Sequence, residues 1–143
     1  MTAKEYLKQI YIIDQHVKRL QEQRDDLRND LYNLKSASGS MSADKVQSSH
    51  SDDKVLKLIA TINDLEKDIV AEMKILIHTK TRIIKQISGI SDERYKTLLF
   101  KRYVLFHKFE KISVDMNYNI KWIYDLHREA LDAFREKYGK DRE

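Results

Sequence analysis

The side chains best suited to binding chemistry lie close together near the end of the chain, between residues 119 and 128. They combine an ammonium, a guanidinium, a carboxylate and aromatic rings, which are groups that bind phosphate oxygens and base edges. We expect Lys121 and Arg128 to reach phosphates or guanine edges. We expect Trp122 and Tyr124 to contact phosphate or a thymine methyl group. The candidate residues in this segment are Asn119, Lys121, Trp122, Tyr124, Asp125 and Arg128.

Each of these side chains also has a purely structural interpretation. Trp122 can pack against a supporting helix, and Tyr124 can simply cover the segment that precedes it. Asp125 can pair with Lys121 or Arg128, because residues three or four positions apart are neighbours on a helix surface. The sequence leaves DNA contact and structural packing open for these residues.

Residues that support catalysis or hold a metal form no recognisable pattern. The histidines show no metal-ligand spacing with one another or with carboxylates. The sequence has no cysteine, no phosphate-cradling glycine loop and no serine in a nucleophile elbow. We therefore expect neither an enzyme nor a bound cofactor or metal, and His127 is predicted to pack in a core or joint. The histidines are His16, His50, His78, His107 and His127.

We predict that a helix, a tight turn and a second helix, over Phe109 to Leu131, position the candidate side chains. Ile112 is predicted to point inward, and Ser113 is the small residue where the two helices approach. Asn117 falls where the turn needs a positive φ, which Asn tolerates well. Asn119 is predicted to cap the second helix through its side-chain oxygen. Further apolar contacts are predicted for Met116, Tyr118, Ile123, Leu126, His127, Ala130, Leu131 and Phe134.

The run from Arg94 to Leu131 resembles region 4 of bacterial sigma factors. It is closer still to the sigma-region-4-like domains of small regulators from phages of Gram-positive bacteria, the ArpU and RinA type. The similarity covers about a quarter of the chain. The shared residues are Leu98-Leu99, Arg102-Tyr103, Ile112-Ser113, Met116-Asn117-Tyr118-Asn119, Ile123-Tyr124, Leu126-His127 and Ala130-Leu131. The chain departs from the pattern at Lys108, where a Ser or Thr cap is usual, at Asn117, where Gly is common, and at Ile120 and Asp125, on a face that is usually more basic.

The resemblance implies a DNA-binding transcription regulator of a phage or prophage that acts at late-gene promoters. Its implied partners are double-stranded DNA and bacterial RNA polymerase. One alternative is a protein-interaction module that binds polymerase or another phage protein through a coiled coil. Another is the small subunit of a phage packaging terminase, although such subunits usually place the DNA-binding part first.

A basic run leads into the helix pair and offers phosphate contacts, which supply most sequence-independent affinity for DNA. Between residues 73 and 109 only Asp92 and Glu93 oppose it. The alternative interpretation is a solvated helix face. The basic residues of the run are Lys74, Lys80, Arg82, Lys85, Arg94, Lys96, Lys101, Arg102 and Lys108; of these, Lys101, Arg102 and Lys108 join Lys111 as candidate DNA contacts.

The first part of the chain predicts a long antiparallel helical hairpin, a coiled coil over residues 1–90, ahead of a helix-turn-helix domain over 91–143. Thr2 and Glu5 form a predicted capping box. Apolar residues then alternate at spacings of three and four, with Arg24 as the one polar member. They are Ile10, Ile13, Val17, Leu20, Leu27, Leu31 and Leu34.

A Ser-rich loop is predicted over residues 36–53, because seven of the sixteen residues from 36 to 51 are serine. The second helix carries a seam that begins at Val55, Leu58, Ile62, Leu65 and Ile69. The seam continues, after one four-residue step that we interpret as a stutter, at Met73, Leu76, Lys80, Ile83 and Ile87. Gly89 is predicted to end this helix, and Ser91 to begin the next. Additional apolar residues on these faces predict a homodimer.

Bulk composition fits an all-α, charged protein. The chain has 143 residues, no proline, three glycines, 35% charged residues and a formal net charge of +4. No window approaches a membrane span, and the charged helical start does not resemble a signal peptide. We therefore expect a location in the cytoplasm of a bacterial host.

Overall fold

The computed structural model describes the backbone of residues 1–40 and 45–139 and the side chains of residues 1–37 and 52–139. The described residues form six α-helices, one π-helical segment and no strand. The predicted all-α class is therefore confirmed. The helices are α1 (Ala3–Leu7), α2 (Gln9–Ser40), α3 (Lys45–Ser88), α4 (Glu93–Leu99), α5 (Phe109–Met116) and α6 (Ile120–Tyr138), and the π-helical segment is Phe100–Val104. Within this part of the chain, no helix combines the length and apolar character needed to cross a bilayer.

The first helix begins as predicted. The backbone N–H of Thr2 donates to Glu5 Oε2 at 2.8 Å, and the N–H of Glu5 donates to Thr2 Oγ1 at 3.1 Å. This reciprocal capping box satisfies two amides that a helix start leaves without a partner. The hydrogen bond from the Thr2 backbone lowers the pKa of Glu5. Lys8 separates α1 from α2, and its N–H still donates to Lys4 at 3.0 Å.

Contacts between residues divide the chain into two compact units. One unit is Gln15–Lys74, and the other combines Met1–Asp14 with Ile75–Glu143. The units divide after Asp14 and after Lys74. The sequence instead predicted a boundary at residue 90. The end of α3 explains the difference, because Ile83 and Ile87 are buried in the same core as Phe134 of α6. Apolar faces are buried against whichever neighbour covers them, and that neighbour need not be adjacent in sequence.

In the unit Gln15–Lys74, parts of α2 and α3 run antiparallel. His16 Nδ1 lies 3.6 Å from Glu72 Oε2, and Arg24 Nε lies 3.7 Å from Glu66 Oε1. As the residue number increases along α2, the number of its ion-pair partner on α3 decreases. The two helices are therefore antiparallel in this unit. Arg24, the polar member of the predicted seam, is 20% exposed and is held by this ion pair. The connecting residues 41–44 lie outside the described part.

The seam predicted to follow a stutter in α3 agrees with the structure at Ile83 and Ile87, which are buried, and is wrong at Met73 and Lys80, which are exposed. Lys80 is exposed, and its neighbour Thr79 is buried instead, at 5% exposure. Ile62, Ile69 and Ile83 are also buried, and their separations of seven and fourteen residues keep one heptad phase. Thr79, four residues before Ile83, is therefore the buried member of the seam in place of Lys80.

The predicted Ser-rich loop is shorter than expected, because residues 36–40 and 45–53 are helical. Serine costs a helix only roughly 0.5 kcal/mol per residue relative to alanine. The segment contains no proline, and a helix that is already nucleated gains one hydrogen bond for each residue added. Only residues 41–44 of the predicted loop lie outside the described backbone.

The second unit has a core built from α1, the first turns of α2, the last turns of α3, α4, the π-helical segment and α6. Leu7, Ile83 and Leu99 are fully buried in it. The core residues are Tyr6, Leu7, Ile10, Ile83, Ile87, Ile90, Leu99, Tyr103, Val104, Ala130 and Phe134. This core supports α6 along the helix face opposite the candidate DNA-binding residues.

Gly89 follows the last residue of α3, as predicted, but its φ is not positive. A Cβ at this position would collide with the hydroxyl of Tyr138, which donates to the Gln86 carbonyl at 2.6 Å. Lys137 Nζ also donates to the Gly89 carbonyl. The glycine is therefore needed for close approach, because it lets the end of α6 dock on the end of α3.

The segment from Asp92 to Phe106 contains a capped helix start, a π-helical segment and a residue with positive φ. Asp92 caps α4 by accepting from the N–H of Arg94 at 2.9 Å, so the helix begins after Asp92 rather than at Ser91. The π-helical segment then leads to Phe106, whose φ is 60°. Bulky side chains rarely occupy this left-handed region.

Candidate nucleic-acid interface

Helices α5 and α6 are joined by a turn whose geometry the sequence predicted. Asn117 has φ 58° and ψ 39°, in the left-handed region. Its N–H donates to the Val114 carbonyl at 3.3 Å, and the N–H of Tyr118 donates to the Ser113 carbonyl at 3.1 Å. These two bonds form a Schellman motif, which satisfies carbonyls at the end of α5. Ser113 Oγ also donates to the Tyr118 carbonyl at 2.5 Å, so the small side chain closes the turn directly.

The start of α6 is fixed by Asn119, as predicted. Asn119 is extended, with φ −70° and ψ 158°, and its Oδ1 accepts from the N–H of Trp122 at 2.8 Å. This cap removes one free amide, while other amides of the first turn stay directed toward solvent. The positive end of the helix dipole lies at the same place. The exposed start of α6 is therefore suited to an anion such as a phosphate.

A small core holds α4, α5 and α6 together. Leu98, Ile112 and Ile123 are fully buried, and Leu126 is almost so. The predicted inward positions of Ile112, Ile123 and Leu126 are confirmed. The half-buried residues around this core are Tyr95, Phe109, Met116 and Tyr118, which includes the predicted contacts of Met116 and Tyr118.

His127 is buried, as predicted, and belongs to the packing of α6. Its Nε2 lies 2.7 Å from the hydroxyl oxygen of Tyr103, and its ring meets Phe109 edge-on at 4.9 Å between centroids. Burial lowers the pKa of His127 to about 4, and the nearby cation of Arg102 lowers it further. Burial also raises the pKa of Tyr103 to about 12. Both side chains are therefore neutral at pH 7.

The solvent face of α6 carries the candidate polar and aromatic residues. Lys121, Asp125 and Arg128 follow the spacing i, i+4, i+7, so they form one stripe along the helix. Trp122 is 50% exposed and Tyr124 is 46% exposed. Because successive residues are rotated around the helix axis, Trp122 lies on one side of the stripe and Tyr124 lies on the other.

Four of these side chains also make contacts within the protein. The ring of Trp122 lies 6.1 Å from that of Tyr118, and the ring of Tyr124 meets Phe109 edge-on at 5.3 Å. Each aromatic residue therefore packs on one side and faces solvent on the other. Asp125 forms an ion pair with Arg128, not with Lys121. That pair holds the guanidinium near the middle of the stripe, where its side chain is still 75% exposed.

The four remaining candidate cations divide into two pairs. Lys108 and Lys111 are exposed, and Lys108 precedes α5 without a side-chain hydrogen bond to cap it. Lys101 is half-buried and lies 3.7 Å from Asp115. Arg102 donates to the His107 carbonyl at 3.1 Å, and its guanidinium lies 4.0 Å above the ring of Phe109. Phe109 and His107 thus give Arg102 a structural role that its sequence position did not reveal.

Acidic partners reduce the charge of the basic run as well. Arg94 pairs with Asp92 at 3.0 Å, and Lys96 pairs with Glu93 at 2.9 Å. The two acids that opposed this run in sequence are therefore in direct contact with it. The residues of the run that precede these pairs lie on α3 and are exposed: Lys74, Lys80, Arg82 and Lys85.

Two exposed apolar side chains lie beside the interface, and of these the sequence drew attention only to Ile120, as a departure from the sigma-region-4 pattern. Val114 on α5 is 75% exposed, and Ile120 at the start of α6 is 36% exposed. Their spacing alone gave no signal, because the turn at Asn117 decides which way the two helix faces point. Across the described residues, no group of three potential ligands is arranged to hold a metal ion.

Comparison with known proteins supplies a family. No curated protein and no solved structure matches the chain. The family described as "Protein of unknown function (DUF1492)" matches residues 34–135. The matched segment includes α3, α4, α5 and most of α6, and it spans 102 of the 143 residues (135 − 34 + 1). The chain therefore belongs to the DUF1492 family.

Proposed function

We propose that this protein is a DNA-binding transcription regulator of a phage or prophage, acting at late-gene promoters. The single observation that carries the proposal is the arrangement of α5, the Asn117 turn and the capped helix α6. A polar and aromatic stripe faces solvent there, and a small core braces the helix from behind. A braced and exposed helix of this kind is the element that enters a major groove.

The roles within the interface follow from position and exposure. Lys121 lies in the first turn of α6 and Arg128 two turns later, so together they reach about 10 Å along the groove. We assign both to phosphates or guanine edges. Lys108, just before α5, and Lys111, on α5, contact the flanking DNA backbone. Lys101 and Arg102 are left out of the DNA contact surface, because both side chains are half-buried rather than exposed.

A gel-shift experiment tests this function. Fragments of the surrounding (pro)phage genome are titrated with protein over a salt series, against competitor DNA. Wild type is compared with the double variant Lys121→Glu/Arg128→Glu. The control is Arg19→Glu/Lys54→Glu, at exposed positions of α2 and α3. Each double variant lowers the formal net charge from +4 to 0 (4 − 2 × 2). Because the two variants have the same total charge, any difference in their DNA binding reports where the substituted residues lie.

We expect wild type and the control to retain one fragment across the salt series, and the α6 variant to bind it measurably but much more weakly. The slope of log affinity against log salt falls by roughly 0.9 for each phosphate contact removed, so Lys121 and Arg128 together lower it by about 2. If both double variants weaken binding equally, only total charge matters and the stripe on α6 is not the interface. If no fragment is retained even at low salt, the proposal of DNA binding is wrong.

Dimerisation is part of this proposal. In the unit Gln15–Lys74, α3 exposes Leu56 by 65%, Val70 by 51% and Met73 by 40%. Large apolar side chains in contact with water favour association. We propose that this face of α3 meets a second copy and sets the spacing of the two DNA half-sites. Light scattering after size exclusion should give a dimer that Val70→Glu dissociates, whereas Lys54→Glu, at an exposed position of α3 away from this face, should leave it intact.

A protein-interaction module is the second candidate, and the Asp125–Arg128 ion pair is the observation that favours it. The pair partly neutralises the centre of the stripe. In that case the exposed apolar residues would bind RNA polymerase or another phage protein instead of a second copy. Retention of a protein partner by wild type, with no DNA fragment bound at low salt, would support this candidate. RNA polymerase as an additional partner of the regulator follows from the resemblance alone.

A further inference from the structure

A pocket of about 550 Å³ lies beside the π-helical segment, away from the stripe on α6. Its volume falls within the range of roughly 300–1,000 Å³ that is typical of small-molecule sites. Its walls come from the beginning of the chain and from the segment before α5, both parts of the same compact unit. The lining residues are Lys8, Tyr11, Ile12, Arg102, Tyr103 and Phe106.

The apolar part of the pocket is formed mainly by Tyr11, Ile12 and Phe106. The rings of Tyr11 and Phe106 meet edge-on at 5.3 Å, with an angle of 81° between their planes. Tyr11 is 49% exposed and Ile12 is 60% exposed. Such apolar surface gains free energy when a flat or branched apolar group covers it.

The charge of the pocket is positive. Lys8 and Arg102 contribute two cations, and none of the six lining residues carries a carboxylate. Arg102 is fixed by its bond to the His107 carbonyl and by the Phe109 ring. The hydroxyl of Tyr103 is already engaged with His127. The ionic group that fits this lining is therefore an anion, which the ammonium and guanidinium groups can bind directly.

The backbone beside the pocket is unusual as well. Phe106 has a φ of 60°, and only Leu105 separates it from the end of the π-helical segment. π-helical turns and strained backbone occur frequently at functional sites. Here the strained conformation places the ring of Phe106 against Tyr11 as one wall of the pocket. Three different features therefore coincide at one place: an apolar pocket, two cations and a strained aromatic residue.

We propose that this pocket binds a small amphipathic anion, an aromatic or branched aliphatic carboxylate. Its apolar body packs on Tyr11, Ile12 and Phe106, and its carboxylate pairs with Lys8 and Arg102. Binding there connects the first turns of α2 with the loop that leads into α5. The proposal does not depend on DNA binding.

The test uses two anionic probes on the full chain. Anilinonaphthalene sulfonate becomes fluorescent in apolar sites, and phenylpropanoate competes for a carboxylate site without fluorescing. Binding is titrated for wild type, Lys8→Glu and Tyr11→Ala. The matched controls are Lys67→Glu and Tyr32→Ala, at exposed positions outside the pocket. Far-UV circular dichroism confirms that each variant is helical, and amide chemical shifts of wild type with phenylpropanoate locate the site independently of any variant.

We expect both pocket variants to bind the fluorescent probe about tenfold more weakly, a change of one decade in Kd. Both controls should bind as wild type does, and phenylpropanoate should displace the probe. Amide shifts should centre on residues 8–12 and 102–106. The proposal is overturned if the shifts centre elsewhere, if pocket and control variants bind alike, or if wild type binds neither probe.

Discussion

His127 gives the core behind α6 a dependence on pH that can be measured. The residue is 8% exposed, and its ring lies beside Tyr103 and Phe109. Burial lowers its pKa from 6.5 to about 4 in the folded protein. In the unfolded chain, His127 therefore takes up a proton near pH 6.5. In the folded chain, it takes up the proton only near pH 4. Stability is fully present above pH 6.5 and falls as the pH drops from 6.5 toward 4.

The size of this effect follows from the two pKa values. A difference of one pKa unit is worth about 1.4 kcal/mol. Between pH 7.5 and 5.5 the unfolded state takes up most of one proton at this residue, so the free energy of unfolding falls by about 1.3 kcal/mol. At pH 5 the loss reaches about 2 kcal/mol. In His127→Gln this contribution is absent, because the side chain does not titrate.

Urea unfolding followed by circular dichroism measures the difference. His127→Gln should be less stable than wild type at pH 7.5, because Gln fills the ring site poorly. The gap between the two should shrink by about 1.3 kcal/mol at pH 5.5. His78→Gln, at an exposed position, serves as the control and should keep the slope of wild type. A gap between wild type and His127→Gln that stays constant from pH 7.5 to 5.5 would refute this reasoning.

Three further predictions concern the ends of helices, and each is measured as a change in the free energy of unfolding. Asn119→Ala removes the cap of α6 and should cost about 1 kcal/mol, whereas Asn119→Ser should retain most of it; equal losses would exclude the cap as the cause. Asn117→Ala should cost about 1 kcal/mol because alanine tolerates the left-handed region poorly, while Asn117→Gly should cost nothing, and a loss with Gly would contradict this. Gly89→Ala should displace Tyr138 from the Gln86 carbonyl and cost roughly 1–3 kcal/mol. That loss should largely disappear when Gly89→Ala is compared in a Tyr138→Phe background, and an unchanged loss would show that Tyr138 is not responsible.

The features that the sequence predicted well depend on residues close together in the chain. The Thr2–Glu5 box, the left-handed Asn117 and the cap at Asn119 each involve side chains and amides within about four positions. Such short-range bonds form whenever the local backbone has the required shape. The solvent face of α6 was also predictable, because the helical period separates it from Ile123 and Leu126.

The features that the sequence did not predict depend on distant partners. The choice of Thr79 over Lys80 as the buried residue in α3 depends on which neighbour covers the helix. The structural role of Arg102 requires the π-helical segment, which brings its guanidinium over Phe109. A π-helical turn has no strong sequence signature and is stabilised by the packing around it. For the same reason, the pairing of Tyr103 with His127 was visible only in the folded chain.

Trp122 provides the most direct measurement of whether α6 binds DNA. It is the only tryptophan in the sequence and is half exposed beside Lys121 at the start of α6. Quenching of its fluorescence by acrylamide is measured with and without the DNA fragment that is retained in the gel shift. DNA in contact with the stripe should shield Trp122 and reduce quenching, and Lys121→Glu/Arg128→Glu should show no reduction. If the fragment is bound while Trp122 remains equally accessible, DNA binds elsewhere on the protein and α6 is not the recognition helix.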